Sequence, residues 1–533
     1  MSFNPFKKKN SAAEAADALA VETGVSPGAL DMSQFPQPQS DDRTDPLADA
    51  HIAPASRLLR EGPGGRVEEV ALGGDSFLRL TLLDASRADV LRPLLLDLPE
   101  QTTGFRDLLV AEDSALAAAF DLAEHSLVDI ADVAFAYRSI EIIHALTSIA
   151  ALFVATAQHG LVWPNPSAGL IGLTSEQAHR AAGFQRWRAT FSGWDQLAAG
   201  EEAQATRELA KMFIAPLDAL LTQSQQSGFR HAQLPLVQLL GQLEVLAQSA
   251  ASYADVAGAF ASTATPTLYA ATDTGKRREH NEDAYAMLTL DQVSVAGARF
   301  TLAAVADGMG GHNSGEIASS LALDLLRTQL SQLALAPRTK HAAPALGMQL
   351  EQIIPAIGRA LNERAAMDAA LGGMGTTLAG YAQLTPQTTL KDAGDLPDAQ
   401  GAIFWVGDSR VYLLSASGML PLSVDHSYVQ SLVDDGQVTR DEAFTHPQKN
   451  IITRCLGASG RDDRPEVAPF MLGPGEMILL CSDGLTDALR EEEVWRVVCG
   501  VDSAEPAVIA SALIDAANAA GGPDNITVAL ITL

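Results

Sequence analysis

The chain runs to 533 residues, well beyond one ordinary domain of roughly 150, so a single core cannot account for it. Hydrophobic residues make up 47% and charged residues 19%, globular proportions that exclude wholesale disorder. Lys+Arg 36 against Asp+Glu 65 leaves a net charge of −29, which repels nucleic-acid phosphates and anionic membranes and argues against both as partners. Cys455, Cys481 and Cys499 are too few for a disulfide framework and point to a reducing compartment.

The first stretch carries lysines but neither an apolar core of signal-peptide length nor a cleavage pattern, so a cytoplasmic location is expected. Residues 1–53 are rich in Ala, Ser, Pro, Gln and Asp without periodicity, the composition of a flexible tail. Globular patterning follows over 54–248, with a strand-like run at Phe77–Leu83 and an amphipathic helical stretch at Ala203–Leu221. The uncharged run Ile142–Trp163 has membrane-span length. It includes His144, Thr147, Ser148, Thr156, Gln158, His159 and Gly160, which favours a buried helix and a turn.

Within this front half, Glu61-Gly62-Pro63-Gly64-Gly65-Arg66-Val67 precedes FLRLTLL, and a helical run ends in QHGLVWPNP. The pattern resembles a degenerate protein-kinase-like domain, with Arg79 at the expected lysine, Leu161 at the catalytic aspartate and Pro166 at the metal-binding asparagine. The resemblance implies an inactive binding module for a protein partner. An unrelated mixed α/β regulatory or targeting domain is the competing reading. Residues 249–266 are small and weakly patterned, as in a linker, and a second globular part is expected over 267–533.

There, β-like runs alternate with helical segments. Three apolar runs each stop at an aspartate followed by a small residue: Asp307-Gly308, Asp408-Ser409 and Asp483-Gly484. A fourth aspartate, Asp524, opens a strand beside Asn525. Any one such pair is an ordinary turn, but several carboxylates at one sheet rim repel one another unless cations lie between them. Oxygen-only donors suit Mg²⁺ or Mn²⁺ better than Zn²⁺. Glycine after the aspartate lets a backbone carbonyl approach an ion. Arg278 stands four and five residues before Glu282 and Asp283, joining a phosphate-binding guanidinium to carboxylates within reach of metal-bound water.

In chain order the motifs are DTGKRREHNEDAY, VADGMGGHNSGEIAS, GGMGTTLAG, FWVGDSRVYLL, DHSYVQSLVDDG, HPQKNIITRCLG, LLCSDGLTDAL and GGPDNITVALI. This series resembles the bacterial form of the metal-dependent type 2C (PPM) protein phosphatase family over about 268–533. The resemblance implies an α+β fold, a four-layer α-β-β-α sandwich of two antiparallel sheets flanked by helices. It implies that Asp307, Asp483 and Asp524, with the Gly308 carbonyl, hold two Mg²⁺ or Mn²⁺ ions. Glu282 and Asp283 would bind that centre through water, and Arg278 the substrate phosphate. Asp408, with Asp483, would hold a third, weaker ion. Asp487, four residues after Asp483, either joins that third site or is a solvated helix-surface carboxylate. His312 either donates a proton or lines its loop, Asn281 is a turn former, and Asn525 orients the ligand loop.

The resemblance implies hydrolysis of phosphoserine and phosphothreonine in proteins by a metal-activated water, opposing a Ser/Thr kinase. The segment 425–454 corresponds to the family's mobile flap. Cys455-x5-Arg461 also matches the spacing of thiolate phosphatases, yet RDDRPEVAPF offers no helix start behind the loop. Cys481, within MILLCSD, reads as a small core residue. A non-catalytic phosphatase-like scaffold is the alternative, opposed by the retention of mutually repelling acids.

Overall fold

The computed structural model describes segments between residues 57 and 191, then 202–249, 251–260, 266–293, 298–310, 314–335, 346–386, 400–416 and 418–533. The chain divides into Met1–Ile52 and Ala53–Leu533, and every described residue belongs to the second unit. The expected tail lies outside the described residues.

The front half opens with β1 (Arg57–Gly62), β2 (Gly65–Leu72), β3 (Asp75–Leu82), β4 (Phe105–Leu109) and β5 (Leu116–Asp121), an antiparallel sheet in the order β1-β2-β3-β5-β4. β6 (His125–Ser126) precedes helix α1 (Ile140–Gln158), and β7 (Ile171–Glu176) and β8 (Arg186–Phe191) complete a three-stranded sheet with β6. α1 buries Ile143, Leu146, Ile149, Ala150 and Phe153, one stripe at helical spacing. Leu161, Val162 and Trp163 are buried after it. Up to Gln158 the uncharged run is therefore a core helix, the expected turn at His159 and Gly160 lies outside the described residues, and among the described residues no helix is long and apolar enough to cross a membrane.

Helices α2 (Glu202–Ser227), α3 (Arg230–Leu246) and α4 (Tyr253–Phe260) follow. α4 corrects the linker expected over 249–266. Its small residues are interrupted by Tyr253, Val256 and Phe260, all buried, at i, i+3 and i+7. Tyr253 packs edge-on against Phe153 at 5.1 Å and Phe260 against Phe213 at 5.6 Å, so three bulky side chains dock a helix that composition alone presents as featureless.

The remainder comprises β9 (Thr267–Asp273), β10 (Asp283–Val293), β11 (Ala298–Met309), α5 (Ser314–Leu335), α6 (Leu346–Met367), β12 (Gly375–Thr376), β13 (Leu378–Pro386), β14 (Gln400–Val406), β15 (Arg410–Ser415) and β16 (Gly418–Pro421). Next come α7 (Tyr428–Asp434), α8 (Arg440–Phe444), β17 (Glu466–Pro469), β18 (Met477–Cys481), α9 (Asp483–Ala488), α10 (Glu491–Gly500), α11 (Pro506–Ala519) and β19 (Ile526–Thr532). One antiparallel sheet runs β10-β11-β13-β14-β17, with β12 added beside β11; the other runs β16-β15-β18-β19-β9.

Period-two alternation divides these strands between three cores. Val305, Tyr381, Ile403 and Trp405 of the first sheet meet Val411, Leu413, Ile478, Leu480 and Ile531 of the second. Their neighbours Leu302, Ala304, Phe404 and Val406 face outward under α5 and α6. Tyr412, Leu414, Leu479, Val528 and Leu530 face the other way, under α9–α11, in a cluster that continues without a break into α1–α4. Helix, sheet, sheet and helix thus form four layers, and the front-half helices pack onto the outermost one.

Candidate active site

Asp307 stands directly opposite Asp283 on the β10–β11 ladder. Like charges facing across an antiparallel pair repel, so something must hold these loops in place. Hydroxyls do. The Asp307 N–H donates to Thr377 Oγ1 at 2.9 Å, its carbonyl accepts from Thr376 Oγ1 at 2.9 Å, and Thr377 Oγ1 lies 2.7 Å from Ser409 Oγ, beside Asp408. β11 does not stop at Asp307 as expected but continues to Met309, because β12 supplies a partner for Gly308 and Met309. A Cβ at Gly308 would lie 2.1 Å from the Gly315 carbonyl and 2.7 Å from that of Glu282, so three backbones meet where no side chain fits.

The second sheet brings its acids to the same rim. Asp483 is the first residue of α9, and Ser482 before it donates to Asp283 Oδ2 at 2.6 Å, linking the two sheets. Asn525 ties down the loop between β9 and β10 at three points. Its Oδ1 accepts from the Glu282 N–H at 2.9 Å, and its Nδ2 donates to the carbonyls of Thr274 and His280, each at 2.9 Å. Arg278 reaches back to Asp524, Nη2 to Oδ2 at 2.6 Å.

Burial, then the charges of Asp283, Asp483, Asp408 and Asp524 in that order, hold the Asp307 carboxyl well above the usual range. Asp483 is raised likewise, by burial and then by Asp408, Asp487, Asp524 and Asp283. Burial lifts Asp283 to about 6 and Asp408 to about 7. One oxygen of each of Asp283, Asp408 and Asp483 is buried without a hydrogen-bond partner. Such oxygens fit hard divalent cations, which satisfy buried carboxylates that no protein donor reaches. Among the described residues no group of three His, Cys, Asp or Glu side chains is placed so that it could hold a metal ion as it stands. The acids sense one another's fields without meeting at one point.

A pH dependence follows for the metal-free protein. These carboxyls are raised above their unfolded value near 3.8, so their contribution to stability is complete below that pH and lost as pH rises through the folded values. Stability measured by urea unfolding with chelator should therefore fall between pH 5 and 7.5, by up to about 1.4 kcal/mol per pH unit for each proton the folded state retains. Asp408→Asn should reduce that slope; an unchanged slope would contradict the role given to Asp408.

The structure brings Arg278, Glu282, Asp283, Asp307, Gly308, Asp408, Asp483 and Asp524 to one sheet rim. Asp487 adds its field to Asp483 and Asp408, but its carboxylate pairs with Lys449 Nζ at 2.9 Å. His312 lies outside the described residues. Asn281 makes the expected turn, its Oδ1 accepting from the Asp283 N–H at 3.1 Å. Cys455 is buried with its thiol pushed up by that burial, Arg461 donates to the Ile452 carbonyl, and the next element is β17, not a helix. Cys481 is wholly buried, as expected of a core residue.

Sequence reasoning missed Thr376, Thr377, Ser409, Ser482 and Lys449. It also missed Arg410, whose guanidinium grips Asp425 through two bonds of 2.8 and 2.7 Å. The available signal was adjacency, since Ser409 and Ser482 each flank a predicted aspartate.

A family model described as protein phosphatase 2C matches residues 273–507. A serine/threonine phosphatase of Listeria innocua is 33% identical over 261 residues, covering 49% of this chain and 93% of its own length. This chain belongs to the protein phosphatase 2C family. A protein phosphatase of Streptococcus pneumoniae is 34% identical over 272 residues, covering 49% of this phosphatase and 95% of its own length. A solved serine/threonine phosphatase of S. agalactiae is 30% identical, covers 50% of this phosphatase and 100% of its own chain, and has a TM-score of 0.42.

Proposed function

We propose that this phosphatase hydrolyses phosphoserine and phosphothreonine in proteins with the help of two Mg²⁺ or Mn²⁺ ions. The observation that supports this most directly is that Asp283, Asp408 and Asp483 each keep one buried carboxylate oxygen without a hydrogen-bond partner at an oxygen-only rim. Asp307, Asp483, Asp524 and the Gly308 carbonyl would hold the two ions. Glu282 and Asp283 would act through water, and Asp408 and Asp483, with Asp487, would hold a third. When bound, such ions lower the pKa of water and clamp the phosphoryl group for in-line displacement.

The chain's own residues do the rest. Arg278 offers a guanidinium that is 48% exposed, able to take a phosphate oxygen pair once it leaves Asp524. Asn525 and Ser482 fix the loops on either side of it. The front half regulates or targets this activity, and the five-stranded sheet of β1–β5 supports reading it as an inactive kinase-like module that binds a protein partner. A buried Leu161 in the place of a catalytic aspartate cannot transfer a proton. The setting is a cytoplasmic phosphoprotein pathway opposed to a Ser/Thr kinase.

The test is hydrolysis of a phosphothreonine peptide by the whole chain. Turnover is expected with Mn²⁺, none with chelator, and Cys455→Ser should keep wild-type turnover. Activity that survives chelation and vanishes in Cys455→Ser would transfer the chemistry to the thiol. No turnover with any divalent ion would leave the scaffold reading.

A further inference from the structure

Helix α10 touches both ends of a regulatory problem. From its middle to its C-terminus it is held by the front-half helices: Trp495 packs on Phe229 with ring centroids 5.4 Å apart, and Val494 and Val498 are buried in the shared cluster. Arg230 pairs with Asp502 at 2.6 Å, and the Ser227 hydroxyl donates to the Ala416 carbonyl at 3.4 Å. At Gly228 the chain passes so close that a Cβ would lie 3.1 Å from the Cys499 carbonyl. The other end of α10 holds the 425–454 segment. Arg490, the residue that opens α10, donates to Asp441 Oδ1 at 2.8 Å and lies 4.3 Å above the Phe444 ring. Lys449 lies 5.6 Å from the same ring while pairing with Asp487 on α9. Glu491, next to Arg490, accepts from the Tyr412 hydroxyl, which in turn takes a bond from Arg410, the partner of Asp425.

We propose that Arg490 is a positioning residue that latches the 425–454 segment to α10, and that the front-half helices set the latch by holding the far end of the same helix. A short helix transmits a tilt or slide along its length because its backbone hydrogen bonds make it stiff compared with the loops at its ends. The front half therefore acts on the segment beside the active site, whose Lys449 pairs with Asp487, and leaves β11 with Asp307 and Gly308 untouched. This rests on the phosphatase reading above for its consequence in turnover, but not for its structural content.

The experiment uses the full chain and reads amide hydrogen exchange in residues 440–451, 494–500 and 298–309, a measurement that needs no turnover. Arg490→Ala should raise exchange in 440–451 about fivefold, the scale of one partly exposed ion pair with a cation–ring contact. It should leave 298–309 protected, and Arg490→Lys should restore part of the loss. With a phosphothreonine peptide, KM should rise by a similar factor while kcat changes less than about twofold. Phe229→Ala, which removes the front-half ring that packs on Trp495 in the middle of α10, should give the same signature in 440–451. If Phe229→Ala also loosens 298–309 it reports unfolding, and Trp495→Phe, which keeps a ring, is the variant to read. Faster exchange in 494–500 with wild-type exchange in 440–451 overturns the proposal. Absent turnover with the exchange coupling intact would instead count against the phosphatase reading alone.

Discussion

Asp307→Asn should reduce phosphothreonine-peptide hydrolysis by roughly 10³-fold or more, about 4 kcal/mol of barrier, because it removes a carboxylate oxygen from the middle of the rim. The same substitution should make the chelated protein more stable at pH 8. In the folded state Asp307 is raised well above its usual value by burial and four neighbouring acids, so at high pH ionisation costs the native state what it does not cost the unfolded chain. Thermal melts with chelator and with Mn²⁺ separate the two effects. The wild type should gain several degrees from Mn²⁺, since saturation at 100 times Kd contributes about 2.7 kcal/mol, and the variant should gain little. An inactive variant that melts lower than wild type under chelation would recast Asp307 as structural.

Asn525→Ala should have the second-largest effect although it touches no charge. Three bonds disappear together, leaving the Glu282 N–H and the carbonyls of Thr274 and His280 to find other partners. At about 1 kcal/mol each, stability should fall by about 3 kcal/mol, read as a lower urea midpoint. The loop carrying Arg278 and Glu282 then loses its registration against Asp524, and kcat/KM should fall by about 10²-fold. Asn525→Asp should rescue neither, because it keeps the acceptor, loses both donors and adds charge to an acidic rim. A variant within twofold of wild type in kcat/KM would mean that another contact fixes this loop.

What could be read from the sequence was local. Asp307, Asp408, Asp483 and Asp524 could be picked out because each interrupts or borders an apolar run, whereas the two sheets were expected only from the family resemblance that the motif series carries. Contacts between distant segments could not. Nothing in the spacing of Lys449 and Asp487, or of Arg278 and Asp524, announces that each pair is bonded, because the fold alone brings them together. Ser482 and Thr377 were passed over because serine and threonine are common, and only their positions against Asp283 and Asp307 give them a task. The docking of α4 escaped because Tyr253, Val256 and Phe260 sit among alanines that lower the apparent hydrophobic contrast. The resemblance of the front half to a kinase depends in part on Arg79 and Pro166, whose side chains lie outside the described residues.

The strand order of the second sheet has a consequence for biosynthesis. β19 lies between β18 and β9, although β9 precedes every other strand of this sheet in the sequence. While the ribosome is still translating residues before Ile526, β9 has no neighbour, and neither Asp524 nor Asn525 can take its place. The helices of the front half can emerge and pack among themselves long before that moment. A message cut short before Ile526 would thus yield a chain whose β9 and β18 lack the strand that joins them, a product that exposes strand edges and carries neither β19 nor the residues after it.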